Sequence, residues 1–174
     1  MSKKMFSGFV IASAIIYASC LYAVLFVSFG RGDIMRAEHM RFIDAMNLTP
    51  FKTIVEYSVA LIDGSNSETA IMNLAGNLLL LLPLGFYLPF FVRKTAEIGV
   101  FAVVVAAIII VVEVAQIVTR TGSLDIDDFI LNLSGALAGI AIWKHMPLFC
   151  AMFRRKCPAE VHHMSTTLVK EQAA

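Results

Sequence analysis

Apolar residues along the chain are concentrated in four long runs, and polar residues separate the runs. The hydrocarbon core of a bilayer is about 30 Å thick, so a helix needs roughly 20 mostly apolar residues to cross it. The runs cover residues 9–29, 71–92, 98–118 and 129–146. This pattern predicts an all-α fold: a multi-pass membrane helical bundle with about four transmembrane helices.

A long segment, residues 30–70, separates the first two runs and includes a stretch in which apolar and polar residues are mixed. Within it, residues 51–62 mix apolar and polar positions as a short interfacial helix does, and residues 47–51 are typical of a turn leading into that helix. We therefore predict a membrane domain over residues 1–146, with residues 30–70 as a long outer loop. The polar residues 147–174 are predicted to form a cytoplasmic tail.

Composition supports lipid as the solvent. Of the 174 residues, 59% are hydrophobic and 16% are charged, and the mean hydropathy is +0.79. A net charge of +1 without a Lys/Arg-rich run gives no indication of nucleic-acid binding. The three cysteines lack a CxxC spacing, so neither a disulfide framework nor a zinc site is indicated.

The first apolar run follows Lys3 and Lys4, which is also how a signal peptide begins. The run is too long for a typical signal-peptide core and no clear small-residue cleavage site ends it, so we expect an uncleaved anchor. The positive-inside rule then favours a cytoplasmic N-terminus. In that orientation the inner side holds Lys3, Lys4, Arg93, Lys94, Lys144, Arg154, Arg155 and Lys156, and both termini are cytoplasmic.

Two features bear on how the helices pack. Pro83 removes a backbone hydrogen bond to the Leu79 carbonyl and is expected to kink the second span. Gly135 and Gly139 form a small-xxx-small pair in the fourth span, which permits close contact between helices.

Polar residues inside the spans are predicted to converge at the outer side of the bundle. Helical spacing places the members from each span on one face, with the exception of Asp127 in the fourth span. They are Asn73 and Asn77 in the second span, Glu113, Gln116 and Arg120 in the third, and Asp125, Asp127, Asp128 and Asn132 at the start of the fourth.

A charged group within a membrane is costly unless it is paired or wetted, so these residues are candidates for function. A structural interpretation is also open, since Asp125 and Asp128 suit the start of a helix as capping and first-turn acids. The asparagines could likewise join helices by hydrogen bonds. For Glu113 a functional role is favoured, because a buried glutamate is a costly way to hold helices together. Either it pairs with Arg120 or Arg41, or its burial keeps it protonated.

Conventional catalytic and metal-binding patterns are missing from the sequence. There is no GxSxG, HExxH, P-loop or CxxC motif, and the histidines lie away from the polar residues. Asp125 and Asp128 are weak candidates for cation ligands, because clustered acids without fixed ligand spacing usually cap helices or face solvent. We predict no cofactor and no metal, and we lean away from an enzyme.

The same residues resemble the VanZ-like family of bacterial membrane proteins. The resemblance covers about residues 20–143 and is carried by the order and spacing of short motifs. They are Arg41 with Asn47-Leu48-x-Pro50-Phe51, Asn73-x-x-x-Asn77 leading into Pro83-x-Gly85-Phe86, Glu113-x-x-Gln116 with Arg120, and Asp125-Ile126-Asp127-Asp128 with Asn132, Gly135 and Gly139. The resemblance implies the inner membrane of a bacterium, and the family's namesake is associated with low-level resistance to the glycopeptide teicoplanin.

The leading hypothesis is an envelope protein whose outward polar pocket binds a lipid-linked or cell-wall-related headgroup. Glu113, Gln116, Arg120 and Asp128 would form its floor, and Arg41 and Asn47 its lid. One alternative is an intramembrane enzyme acting on such a lipid, with Glu113 as the acid or base. A small transporter or flippase is a third reading, and the almost wholly apolar inner halves of the helices argue against it.

Overall fold

A computed structural model describes residues 3–27, 46–119, 121 and 124–146, and this part of the chain is helical without β-strands. The helices are α1 (Lys3–Tyr22), continued by a π-helical turn at Ala23–Val27, α2 (Lys52–Asp63), α3 (Ser67–Leu80), α4 (Leu84–Phe91), a 3-10 turn at Arg93–Ala96, α5 (Ile98–Thr119) and α6 (Ile126–Lys144). The predicted all-α class is confirmed.

Within the described ranges, four helical stretches are long and apolar enough to cross a membrane. They are Met5–Val27, Ser67–Phe91, Ile98–Thr119 and Ile126–Lys144. Each end lies within about one helical turn of the boundary predicted from the apolar runs. The chain is therefore a membrane protein, and its second span is formed by α3 and α4 together.

The second span is interrupted where Pro83 was expected to kink it. Helix α3 ends at Leu80, and the backbone passes through a tight turn before α4 begins at Leu84. The N–H groups of Leu82 and Leu84 donate to carbonyls three residues earlier, instead of four. Proline has no N–H to continue the α-helical ladder, which explains why the break falls here.

Helix α6 packs backbone to backbone against the second span. A Cβ atom at Gly135 would overlap the Leu78 carbonyl oxygen, and one at Gly139 would overlap the Leu82 carbonyl oxygen. From the opposite side, a Cβ at Gly85 would collide with the backbone of Gly139 and its neighbour. The close contact predicted from the small-xxx-small pair is confirmed, and it centres on the break in the second span.

The apolar core lies between α5, α6 and this broken span. Its buried members are Leu81, Phe101, Val105, Ile109, Ala136, Ile140 and Trp143. Helix α1 lies at the periphery, with most of its apolar side chains exposed. Among the hydrogen bonds of the described residues, two attach α1 and its π-helical turn to the bundle: the Tyr17 hydroxyl donates to the Leu80 carbonyl at 2.8 Å, and the Gln116 amide donates to the Leu25 carbonyl at 3.1 Å.

Helix α2 is the short helix predicted in the outer loop. It packs against α3, and it leaves an apolar stripe exposed at Phe51, Val55, Val59 and Ile62. These positions recur every three or four residues and so share one face. An exposed apolar stripe on a helix outside the spans is what an interfacial helix presents to lipid.

One end of the bundle holds α2, the start of α3, the end of α5 and the start of α6, and we call it the α2 end. The opposite end holds the turn at Arg93–Ala96 and the end of α6 at Lys144. Polar residues of the spans lie toward the α2 end, and the apolar core extends toward the opposite end.

Candidate functional site

One carboxylate of α6 caps the start of α2. Asp127 is fully buried, and its two oxygens accept hydrogen bonds from the backbone N–H groups of Phe51 at 2.6 Å and Ile54 at 3.1 Å. The first N–H groups of a helix have no partner within it and need one from outside. Phe51 precedes α2 and its side chain does not cap the helix. Asp127, 76 residues further along the chain, supplies the cap instead.

This arrangement also holds a strained backbone. Phe51 adopts φ = 66°, in the left-handed region that residues other than glycine seldom occupy. Its N–H is the group that donates to Asp127 at 2.6 Å. The buried carboxylate therefore fixes both the entry of the chain into α2 and the left-handed turn at that entry.

A second carboxylate completes the attachment. Asp125 caps α6 by accepting from the Asp127 N–H at 2.8 Å, and it also accepts from the Thr53 hydroxyl at 2.7 Å and the Asn47 amide at 3.2 Å. The backbone of Asn47 pairs with this segment too, donating to the Leu124 carbonyl and accepting from the Ile126 N–H. We call Asn47, Thr53, Asp125 and Asp127 the α2 clamp.

The α2 clamp gives a structural role to three residues that were predicted to bind a ligand. The capping interpretation of Asp125 is confirmed, and Asn47 and Asp127 make comparable contacts within the protein. Ligand binding by these three residues stays a prediction. The carboxylate oxygens of Asp125 and Asp127 already accept hydrogen bonds from N–H and O–H groups of the protein. The α2 clamp therefore has little capacity left for a cation.

Beneath the α2 clamp, the side chains of α3, α5 and α6 meet. The Asn77 amide of α3 donates to the Asp128 carboxylate of α6. One turn further along α6, the Asn132 amide donates to the Asp128 backbone carbonyl at 2.9 Å. Glu113 of α5 lies within electrostatic range of Asp128 and Asp125. Of the predicted polar residues, the structure thus brings Asn77 and Asp128 into contact and places Glu113 near Asp128.

Three acceptor atoms in this region are buried without a hydrogen-bond partner in the described part of the chain. They are Asn73 Oδ1, Glu113 Oε2 and Asn132 Oδ1, one from each of α3, α5 and α6. Their residues are 8%, 8% and 7% exposed. We call these three residues the acceptor cluster. Buried polar atoms in proteins are nearly always satisfied, so three such acceptors at one end of a bundle need an explanation.

The remaining predicted residues are placed as follows. Gln116 is half-buried on α5 and donates to the Leu25 carbonyl in the π-helical turn after α1, so its observed contact joins the first and third spans. Arg41 and Arg120 lie outside the described residues. Within the described ranges, no three His, Cys, Asp or Glu side chains are grouped so that they could hold a metal ion.

Two polar contacts were not anticipated. Thr53 belongs to the α2 clamp, and a threonine in the first turn of a short helix gives no sequence signal for such a role. Tyr17 lies in the middle of an apolar run, donates to the carbonyl of Leu80 and stacks on Tyr87 with ring centroids 5.4 Å apart. A hydroxyl at that depth in a span was the available signal, because polar groups in hydrocarbon need partners.

Comparison with known proteins gives one result about ancestry. The chain matches the family model described as VanZ/LLP1 over residues 14–150, which is most of its length and includes every residue of the α2 clamp and of the acceptor cluster. Neither a curated protein nor a solved structure matches the chain.

Proposed function

The chain belongs to the VanZ/LLP1 family, and from that premise we propose that this envelope membrane protein binds a lipid-linked or cell-wall-related headgroup in an outward-facing polar pocket. The pocket would be lined by the acceptor cluster together with Asn77 and Asp128. The α2 clamp would hold α2 beside it.

The observation that carries this proposal is the acceptor cluster. A buried acceptor without a donor costs about 1–3 kcal/mol, and the cost is removed when a donor is supplied. Three such atoms on three different helices are an inefficient way to hold a bundle together. They are a suitable way to recognise a polar group that enters from the α2 end.

The apolar core argues for binding rather than passage. Beyond the acceptor cluster, the interior toward the opposite end is filled by Phe101, Val105, Ile140 and other apolar side chains. A polar solute that crossed the bundle there would lose its hydration without compensation. The described residues thus favour a site open at one side over a transporter or flippase.

The proposed orientation follows from the basic residues. Arg93, Lys94 and Lys144 lie at the end opposite α2, which is also the end where α1 begins. The positive-inside rule would put that end in the cytoplasm and the α2 end outside. We propose the bacterial inner membrane, with both termini cytoplasmic and the polar pocket facing outward.

An intramembrane enzyme is the second candidate, and Glu113 is the observation that favours it. A buried carboxylate oxygen with no hydrogen-bond partner among the described residues suits a general acid or base. This candidate requires product formation from a lipid-linked substrate by purified protein, with loss of turnover but retained binding in Glu113→Gln. Binding without any product would leave the binding protein as the function.

The test in cells is complementation of a host that lacks the gene. Growth is measured against teicoplanin and other agents that stress the envelope, with each variant expressed at the same level in the membrane. We expect wild-type protein and Glu68→Gln to restore growth and Glu113→Gln to fail, because Glu68 is exposed on α3 while Glu113 belongs to the acceptor cluster. Full restoration by Glu113→Gln would contradict the proposal.

A further inference from the structure

Resting on the proposed function, we infer that the polar pocket selects headgroups that donate hydrogen bonds through hydroxyl or ammonium groups. Headgroups that present only acceptor oxygens or methyl groups would be rejected.

The unpartnered atoms of the acceptor cluster are of a single kind. All three unpartnered atoms are oxygens: two amide oxygens and one carboxylate oxygen. Amide and ionised carboxylate oxygens accept hydrogen bonds and cannot donate them. At Asn132 the assignment follows from its partner, because the amide nitrogen already donates to the Asp128 carbonyl at 2.9 Å and the oxygen is therefore the unpartnered atom.

Three nearby side-chain amides direct their observed hydrogen bonds to other acceptors. Asn77 donates to Asp128, Asn132 donates to the Asp128 backbone, and Gln116 donates to the Leu25 carbonyl. In the described part of the chain, no donor reaches the three oxygens of the acceptor cluster. Since none of the described residues supplies these donors, we infer that a ligand brings them.

The missing donors also indicate which headgroup atoms would fit. A phosphate oxygen would bring only a further acceptor to this position, and the three oxygens of the acceptor cluster would stay without donors. A sugar hydroxyl or a primary ammonium group would supply the missing donors, and the ammonium would add a favourable charge.

The test uses lipids that differ in their donors. The full-length protein in detergent is titrated with phosphatidylethanolamine, phosphatidylcholine and a diglucosyl diacylglycerol of the same acyl chains, and retained lipid is measured by native mass spectrometry. The first two lipids share a phosphate and differ by N–H against N–CH₃, so phosphatidylcholine is the donor-poor control. The glycolipid has hydroxyl donors without charge, and its comparison with phosphatidylethanolamine distinguishes the two sources of donors.

We expect at least one donor-bearing lipid to be retained about tenfold more strongly than phosphatidylcholine, equivalent to about 1.4 kcal/mol. Asn132→Leu and Asn73→Leu should each abolish this preference. Ser134→Leu is the matched control, because Ser134 is exposed on the same helix as Asn132 and should retain the preference. Glu113→Gln should weaken phosphatidylethanolamine more than the glycolipid, because it removes charge but keeps an acceptor.

The outcomes separate this inference from the proposed function. Equal retention of phosphatidylethanolamine, glycolipid and phosphatidylcholine, all lost in Asn132→Leu and Asn73→Leu, would overturn donor selection and leave the headgroup site standing. Retention that no variant changes would overturn the proposed function as well.

Discussion

At the scale of single residues, Asp125 and Asp127 differ from Glu113 in the hydrogen bonds that their carboxylate oxygens accept. The two aspartates of the α2 clamp accept backbone N–H, hydroxyl and amide groups of the protein. The Glu113 Oε2 atom is buried without a partner in the described ranges. Residue type and spacing alone do not distinguish a structural acid from a binding acid, because the distinction depends on which donors the tertiary fold brings near.

The α2 clamp predicts a local effect of Asp127→Asn. The substitution replaces one accepting oxygen by an amide nitrogen, so one of the N–H groups of Phe51 and Ile54 loses its partner. The start of α2 should be destabilised by about 1–3 kcal/mol. Hydrogen exchange should become faster in the first turn of α2 and stay unchanged in α5. Asp63→Asn, at the exposed end of the same helix, is the matched control, and equal effects of the two substitutions would refute the capping role.

The acceptor cluster predicts an effect of opposite sign. Asn73→Leu removes a buried acceptor that has no partner among the described residues, so the midpoint of thermal unfolding in lipid-depleted detergent should stay level or rise. The corresponding rise in the free energy of unfolding is at most about 3 kcal/mol, the upper cost of a buried acceptor without a donor. Asn77→Leu, one turn away on α3, breaks the hydrogen bond to Asp128 and should lower the midpoint. A lower midpoint for Asn73→Leu of the same size would indicate a structural role for both asparagines.

At the scale of helices, the order and extent of the spans were predictable because the bilayer imposes a minimum apolar length on each. The kink at Pro83 and the close helix contact at the glycine pair were also predictable. A missing N–H breaks the helix locally, and a missing Cβ lets a neighbouring backbone approach. The attachment of α2 was different. It depends on pairing between residues 47–54 and 124–127, and the pattern of neither segment indicates its partner.

Helix packing can be tested at Gly135. In Gly135→Ala the new methyl group would overlap the Leu78 carbonyl oxygen, so α3 and α6 would have to separate. Overpacking of this kind costs about 1–3 kcal/mol, or more when the obstacle is backbone. We expect a lower unfolding midpoint and less protein in the membrane. Gly76→Ala is the matched control because nothing lies within 4 Å of its Cβ position, and it should be neutral or slightly stabilising. Equal behaviour of both variants would contradict the packing.

At the scale of the whole molecule, the described part of the protein is asymmetric along the bundle. Asp125, Asp127, Asp128 and the unpartnered acceptors lie toward the α2 end, whereas Arg93, Lys94 and Lys144 lie at the opposite end. The proposed topology follows from this asymmetry together with the positive-inside rule. Family membership and four apolar helices agree with the membrane assignment made from composition and span length.

The topology predicts the behaviour of reporter fusions. Green fluorescent protein fused after residue 174 should fluoresce, and alkaline phosphatase fused there should be inactive, because the C-terminus is proposed to be cytoplasmic. Alkaline phosphatase inserted after Ser65, between α2 and α3, should be active outside the membrane. The reverse pattern would turn the polar pocket toward the cytoplasm and exclude an outward-facing site.

The most direct test of the proposed function is the identity of the lipids that co-purify with the protein. Wild-type protein, Glu113→Gln and Glu68→Gln are extracted gently from the same membranes and compared by native mass spectrometry. We predict that wild-type protein and Glu68→Gln carry one headgroup class in excess over its share of the membrane, and that Glu113→Gln loses this excess. The same lipid profile in all three proteins would contradict headgroup binding at the acceptor cluster.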